Sequence, residues 1–149
     1  MAFFDLFRKK ETEAELLRRS IEANRCGRHA EAADCARKLA EMGNATGMLE
    51  YSMYLAESNK YTEAANWARK LAEMSDARGM LLCAMYLKEC GKYTEAADWA
   101  RKSAQAGEAR GMYVYATYLR DGKGVQKDMQ QCQVWLQKSV NAGYAPAQK

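Results

Sequence analysis

One proline, one histidine and three phenylalanines among 149 residues leave this chain short of what several fold and function classes require. A single proline and ten glycines give little material for the tight turns of a hairpin-rich protein, while abundant Ala, Leu, Met, Glu, Lys and Arg favour helix, so a sheet protein is excluded. No long hydrophobic run is present: the longest uncharged apolar stretch, Gly79 to Leu87, is far too short for a membrane span. The lone His29 cannot complete a metal-ligand set, and no recognisable motif aims an Asp or Asn at it, so a catalytic role for it is discounted. Cys26, Cys35, Cys83, Cys90 and Cys132 are odd in number and include no Cys-x-x-Cys pair, which argues against structural zinc and against a disulfide framework. They read as small apolar fillers kept reduced in a cytoplasm. No metal and no cofactor are expected.

A large excess of one charge is also lacking. The 23 basic and 19 acidic residues give +4, and because the signs are interspersed this mild surplus does not point to nucleic acid. Arg37-Lys38, Arg69-Lys70 and Arg101-Lys102 recur at equal spacing and would align in a positive column, but Glu41 and Glu73 partly neutralise it and no aromatic on that face would stack bases. Residues 1–10 form a tail in which Phe3, Phe4 and Phe7 precede Arg8, Lys9 and Lys10. The charge follows the apolar cluster, the reverse of a secretory signal, so the protein is read as cytoplasmic. The tail reads as a flap over the exposed face of the first helix, with docking to a membrane surface or a partner as the alternative.

What the chain has in abundance is itself. Lys60-Tyr-Thr-Glu-Ala-Ala-Asn-Trp-Ala-Arg-Lys-Leu-Ala returns at Lys92 almost letter for letter, a period of 32, and Arg28 opens the same unit one period earlier. A fourth copy sets Trp135 opposite Trp99, 36 residues on, because Asp121-Gly-Lys-Gly-Val-Gln lengthens the preceding turn. A second element alternates with the first: Gly47-Met-Leu-Glu-Tyr-Ser-Met-Tyr-Leu, with counterparts opening at Gly79 and Gly111.

Both elements have helical periodicity. In the back segment Tyr61, Ala64, Ala65, Ala68, Leu71 and Ala72 fall on one stripe opposite Glu63, Asn66, Arg69, Lys70 and Glu73. The front segment from Met80 to Leu87 is apolar nearly all round and should be covered on more than one side. Front helices are expected near 11–26, 45–58, 77–90 and 109–121, and back helices near 29–42, 61–74, 93–106 and 128–142. Gly43, Gly107 and Gly143 suit left-handed residues closing back helices, and Asn44 and Asp76 follow as N-caps. Ala32, Ala64 and Ala96 let paired helices approach closely, while Trp67, Trp99 and Trp135 are expected as buried filling between repeats.

These residues resemble the Sel-one-like repeats, a branch of the tetratricopeptide-like helical repeats. The last unit matches best: Gly122-x-Gly124-Val125, Asp128, Trp135, Lys138 and Gly143 sit at the family's spacing, with Cys132 in its usual alanine slot. The earlier units keep the Ala and Trp positions but lack the Gly-x-Gly-Val turn, and look more like tetratricopeptide units shortened to 32. The resemblance covers residues 11–149. It implies an all-α, right-handed α-solenoid of about four helix-turn-helix repeats, paired near 11–42, 45–74, 77–106 and 109–142, followed by the start of a further helix or cap. It also implies a non-enzymatic adaptor or scaffold that binds another protein.

Carried onto this sequence, the resemblance sets Leu17, Ile21, Asn24, Leu49, Met53, Glu57, Leu81, Met85, Lys88, Glu89, Arg110, Tyr113, Thr117 and Arg120 along a concave groove. An apolar floor rimmed by charge suits a partner peptide or helix, and methionines adapt to a ligand's shape. The competing reading is that these side chains seal front helix to front helix or bury a homodimer contact. A small inhibitor or immunity-type protein occluding one enzyme is the second function; an enzyme or RNA-binding protein is the alternative of another class.

Overall fold

The computed structural model describes residues 11–144 and Pro146. The tail expected over residues 1–10 and the further helix expected from Ala145 fall outside the described residues. Among those described there are eight α-helices and no strand: α1 Glu13–Arg25, α2 His29–Glu41, α3 Ala45–Glu57, α4 Tyr61–Glu73, α5 Ala77–Glu89, α6 Tyr93–Gln105, α7 Ala109–Asp121 and α8 Met129–Asn141. The fold is all-α and fits a solenoid of about four two-helix repeats. None of these helices is long and apolar enough to cross a membrane. The chain divides into two compact units, Met1–Tyr51 and Ser52–Lys149, the boundary falling within α3. In a helical-repeat array each element packs on its sequence neighbours rather than on one central core.

In the first unit α1 packs on α2. Thr12 opens α1 with a capping box: its hydroxyl accepts from the Glu15 amide at 3.2 Å, and the Glu15 carboxylate accepts from the Thr12 amide at 3.0 Å. Leu16, Cys35 and Leu39 form the shared core, with Leu17 packed against it. Glu11 pairs with Arg19 and, at 3.3 Å, with Lys38, so the residue before α1 ties both helices together. Arg37 is held by Asp34 at 2.8 Å and Glu41 at 3.0 Å.

In the second unit α4 packs on α5, α5 on α6, α6 on α7 and α7 on α8. The small-residue stripe is buried as its period requires: Ala64, Ala65, Ala68, Leu71 and Ala72 on α4, and Ala96, Ala97, Ala100, Ser103 and Ala104 on α6. Close approach also needs Gly79 on α5, where a Cβ would come within 2.7 Å of Leu71 Cγ and 2.8 Å of the Ala72 nitrogen. Where the fully buried Leu39 and Leu71 of earlier repeats give way to Ser103 and Ser139, each hydroxyl finds a backbone acceptor, Ala77 O at 3.1 Å and Ala109 O at 2.7 Å. Three of the five thiols, Cys35, Cys83 and Cys132, are buried; Cys26 is exposed and Cys90 half-buried, and none is paired. Burial pushes the Cys83 thiol up to about 12, so it stays protonated as a small apolar group.

The tryptophans differ from expectation. Trp67, Trp99 and Trp135 are half-buried rather than sealed between repeats. Lys70, Lys102 and Lys138, each three residues on, lie 4.3, 4.5 and 4.4 Å from the ring centroids. A lysine one turn along a helix reaches back over the ring, so the exposed face is roofed by a cation instead of by the next repeat. The same contacts occupy part of the expected positive column, and Arg69 with Glu95 at 2.5 Å and Arg101 with Asp98 at 2.6 Å occupy more of it.

Turn chemistry follows the repeat. Asn44 Oδ1 accepts from the Gly47 amide at 3.0 Å, and Asp76 Oδ1 from the amides of Arg78 at 2.9 Å and Gly79 at 3.2 Å. Asn59 and Ser75 take left-handed backbone where the other turns use glycine. Burial alone would push the Asp76 carboxyl up, but the Arg78 side chain and these two amides outweigh it and hold the group below its ordinary 3.8. Asp76→Ala is expected to cost about 1 kcal/mol at neutral pH. Because the folded-state pKa is depressed, this stabilisation is present above the ordinary value and is lost as pH falls through the folded one, so the gap between parent and variant in thermal melts should close below pH 4. An equal gap at pH 7 and pH 3 would contradict the assignment.

Candidate functional site

The front helices α5 and α7 belong to one unit, and between them lies a cavity of about 320 Å³. From α5 come Met85, Lys88 and Glu89; from α7 come Arg110, Tyr113, Val114, Thr117, Tyr118, Arg120 and Asp121. Seven of the residues set along the groove from sequence are therefore brought to one place: Met85, Lys88, Glu89, Arg110, Tyr113, Thr117 and Arg120. Tyr113 is packed on one side by Tyr144, ring centroids 5.3 Å apart.

The remaining candidates lie elsewhere. Leu17, Ile21 and Leu49 belong to the first unit and Met53 to the second. Ile21 and Met53 are open to solvent at 65% and 46%, and Leu17 and Leu49 are half-buried. Leu81 requires a correction: only 6% of it is accessible, so it belongs to the core and not to a groove floor. α5 packs against both α4 and α6, and at the level of Leu81 that packing closes the face which opens one and two turns further on, at half-buried Met85 and exposed Lys88. His29 fills the repeat slot of Tyr61 and Tyr93, which reads as a packing position, but it opens α2 and is exposed.

The electrostatics of the cavity are mixed. Arg120 Nε pairs with Asp121 Oδ1 at 3.1 Å, and hydrogen bonding to Arg120 holds the Asp121 carboxyl below its usual range. Among the described residues, Lys88, Arg110 and Glu89 have no ion-pair partner. Thr117 is committed locally, its hydroxyl donating to the Val114 carbonyl at 2.6 Å.

Tyr118 is the residue that sequence reading passed over. It is 3% exposed, and its hydroxyl is a buried polar atom with no partner among the described residues. Burial first, then the charges of Tyr93 and Glu89, push it up to about 12. One repeat earlier the equivalent Tyr86 hydroxyl is hydrogen-bonded to Ser52. The position 32 residues beyond Ser52 is Ala84, so Tyr118 keeps the ring of the repeat and loses the partner of its hydroxyl. That Ser-to-Ala change within the recurring Met-Tyr-Leu block is the signal the sequence offered.

No family model matches the sequence, and no curated protein does. Solved structures do match. A protective antigen present in uropathogenic Escherichia coli strains, displaying an SLR (Sel1-like repeat) fold, superposes with a TM-score of 0.81 and 26% identity over 92% of this chain and 32% of that one. A Sel1 repeat protein from Oxalobacter formigenes gives 0.70 and 23%, covering 80% of this chain and 51% of its own. Cysteine rich protein B of Helicobacter pylori gives 0.60 and 19%, covering 79% and 90%. The chain spans about a third of the first and half of the second. Its fold is thus that of Sel1-like repeat proteins, in keeping with the resemblance read from the sequence.

Proposed function

We propose that this chain is a non-enzymatic protein-interaction module and that the accessible face of α5 and α7 is its partner site. The observation that carries the reading is the convergence of Met85, Lys88, Arg110, Tyr113, Thr117 and Arg120 on one cavity. Apolar and aromatic surface with cations at its edge is the composition of a surface that takes a peptide or helix, and methionine adapts to its shape. The Sel1-like repeat fold supports a scaffold or adaptor role, as it does for the chain's resemblance to tetratricopeptide-like proteins. Five unpaired thiols, three of them serving as core filler, fit a reducing, cytoplasmic compartment.

The test is a quantitative pull-down with the parent and with Met85→Glu/Thr117→Glu, both half-buried positions on facing helices. Two carboxylates on this face should abolish recovery of the partner while circular dichroism and the melting curve stay close to the parent's. A folded double variant that recovers the same partner in the same amount removes this face as the site.

A further inference from the structure

The back helices share a register but not a surrounding. Ala65, Ala68 and Ala72 of α4 are buried, as are Ala97, Ala100 and Ala104 of α6. α5 seats on the first set, where a Cβ at Gly79 would come within 2.8 Å of the Ala72 nitrogen, and α7 packs on α6. Thirty-six residues after the α6 set stand Gln133, Leu136 and Val140 of α8, of which Gln133 is exposed and the other two half-buried. Met129, four residues before Gln133, is exposed as well. Among the described residues no helix follows α8, and α7 is the helix it packs on, with Leu136 against Ala116 and Leu119. Alanine lets a front helix come close, whereas leucine and valine hold a neighbour at the ordinary ~8–10 Å between helix axes. Met129, Gln133, Leu136 and Val140 are spaced four, three and four apart, the seam of a coiled coil with Met and Leu at d and Val and one polar residue at a.

We propose that α8 is a self-association surface: the seam from Met129 to Val140 packs on the same seam of a second copy of this chain, giving a two-fold dimer. Charge selects this occupant. α8 carries no Asp or Glu, and its one cation, Lys138, is turned onto Trp135 at 4.4 Å from the ring centroid. Beside the seam stand Gln130 and Gln137, where the flanks of a coiled coil usually carry the charges that sort partners. At the slot of Gln137, α4 has Arg69 and α6 has Arg101. A primary amide both donates and accepts, so a copy meets its own flank without like-charge repulsion, and Gln137 is steadied by donating to Asn141 at 3.0 Å. Gln133 at an a position is the kind of polar residue that fixes register and copy number at some cost in stability. Head-to-tail stacking is the other way for a repeat protein to use a copy of itself, and α1 blocks it. α5 meets α4 through Gly79 and through Tyr86, whose ring centroid is 6.4 Å from that of Tyr61; α1 has Glu15 and Glu22 in those slots. Carboxylates where glycine and a ring are needed keep α1 from seating on α8, so association stops at two copies instead of growing into a filament. Two 13-residue helices make a small interface, below the ~1,200 Å² of stable complexes, so the dimer is reversible and depends on concentration.

The test is sedimentation equilibrium of the full chain over a concentration series reaching ~1 mM. A monomer–dimer equilibrium with no larger species is expected, its dissociation constant little changed by salt because no charged pair crosses the seam. Met129→Glu/Gln133→Glu alters two exposed positions, so its melting curve at low concentration should match the parent's while its dissociation constant rises about tenfold or more. Gln133→Leu should do the opposite, tightening the dimer about tenfold, and it decides the matter should the charged variant fold poorly. Ile21→Glu, at an exposed apolar residue of α1, should leave the equilibrium as it is. A chain that stays monomeric throughout would overturn the proposal, as would a dimer indifferent to both seam variants, a dimer lost with Ile21→Glu, or species that keep growing with concentration. A monomeric chain that loses its partner in a pull-down when Met129→Glu/Gln133→Glu is introduced would give this face to that partner instead of to a second copy.

Discussion

Leu81→Glu is expected to unfold this protein or leave it insoluble, whereas Met85→Glu, one turn along the same helix, should melt close to the parent. Leu81 is 6% accessible, so a carboxylate there would be placed in the core of the second unit with no described cation positioned for it. An uncompensated buried charge combined with the loss of a packed leucine costs roughly 4 kcal/mol or more, a large share of the ~5–15 kcal/mol that holds a domain of this size together. Met85 is half-buried at the edge of the cavity, where a carboxylate can turn toward water or toward Lys88. Urea melts followed by circular dichroism separate the two. If Leu81→Glu melts with the parent, the face of α5 that carries it is open, and the line between core and partner face runs on the other side of that helix.

That contrast shows what a repeat makes legible and what it does not. The eight helices of the described residues could be delimited from the chain because a 32-residue period fixes which positions are equivalent and the turns repeat their chemistry: Asn44 and Asp76 cap the helices that follow them, and the backbone turns left-handed at glycine or at Asn59 and Ser75. Equivalence of position is not equivalence of environment. Leu17, Leu49 and Leu81 share one slot, yet the first two are half-buried and the third is core. Burial is decided by which neighbouring helix reaches that point, a long-range fact that a local period does not encode. The tryptophans fail the same way, since periodicity tells which face a ring lies on and not that Lys70, Lys102 or Lys138 will roof it.

The candidate site was legible in its side chains and not in its energetics. The family resemblance set Met85, Lys88, Arg110, Tyr113, Thr117 and Arg120 along one face, and all six line the α5–α7 cavity. The Tyr118 hydroxyl could be found only by asking, repeat by repeat, what each conserved-looking side chain bonds to. Ser20 answers with Glu50 at 3.1 Å, Ser52 with Tyr86, and Ala84 in the next copy of that slot has nothing to offer. Ser52 and Ala84 occupy equivalent positions, and replacing the serine by alanine leaves the Tyr118 hydroxyl without the partner that Tyr86 has.

The Gly-x-Gly-Val turn offers the other large effect. Gly124→Ala should destabilise the second unit by roughly 3–4 kcal/mol, well beyond the ~1–2 kcal/mol of placing alanine in left-handed backbone alone. Gly124 has φ of +71°, and a Cβ there would run into the Tyr93 carbonyl and come within 2.8 Å of the Thr94 nitrogen, backbone atoms of the first turn of α6 that cannot rotate aside. Gly107, with φ of +91° and nothing within 4 Å of its Cβ position, is the control that isolates the backbone term. Chemical melts of the two alanine variants therefore read out the contact by difference, and equal losses would show that the turn does not press on α6. The difference should be felt beyond the turn, because Val125, the next residue, packs into the core that Ala116, Leu119 and Cys132 build between α7 and α8. Displacing Gly124 from α6 draws Val125 out of that core, so one substitution loosens the closing hairpin from within and from its neighbour at once. The lengthened fourth turn is thus a fastening, with glycine required where it meets the backbone of α6 and valine required where it enters the last pair.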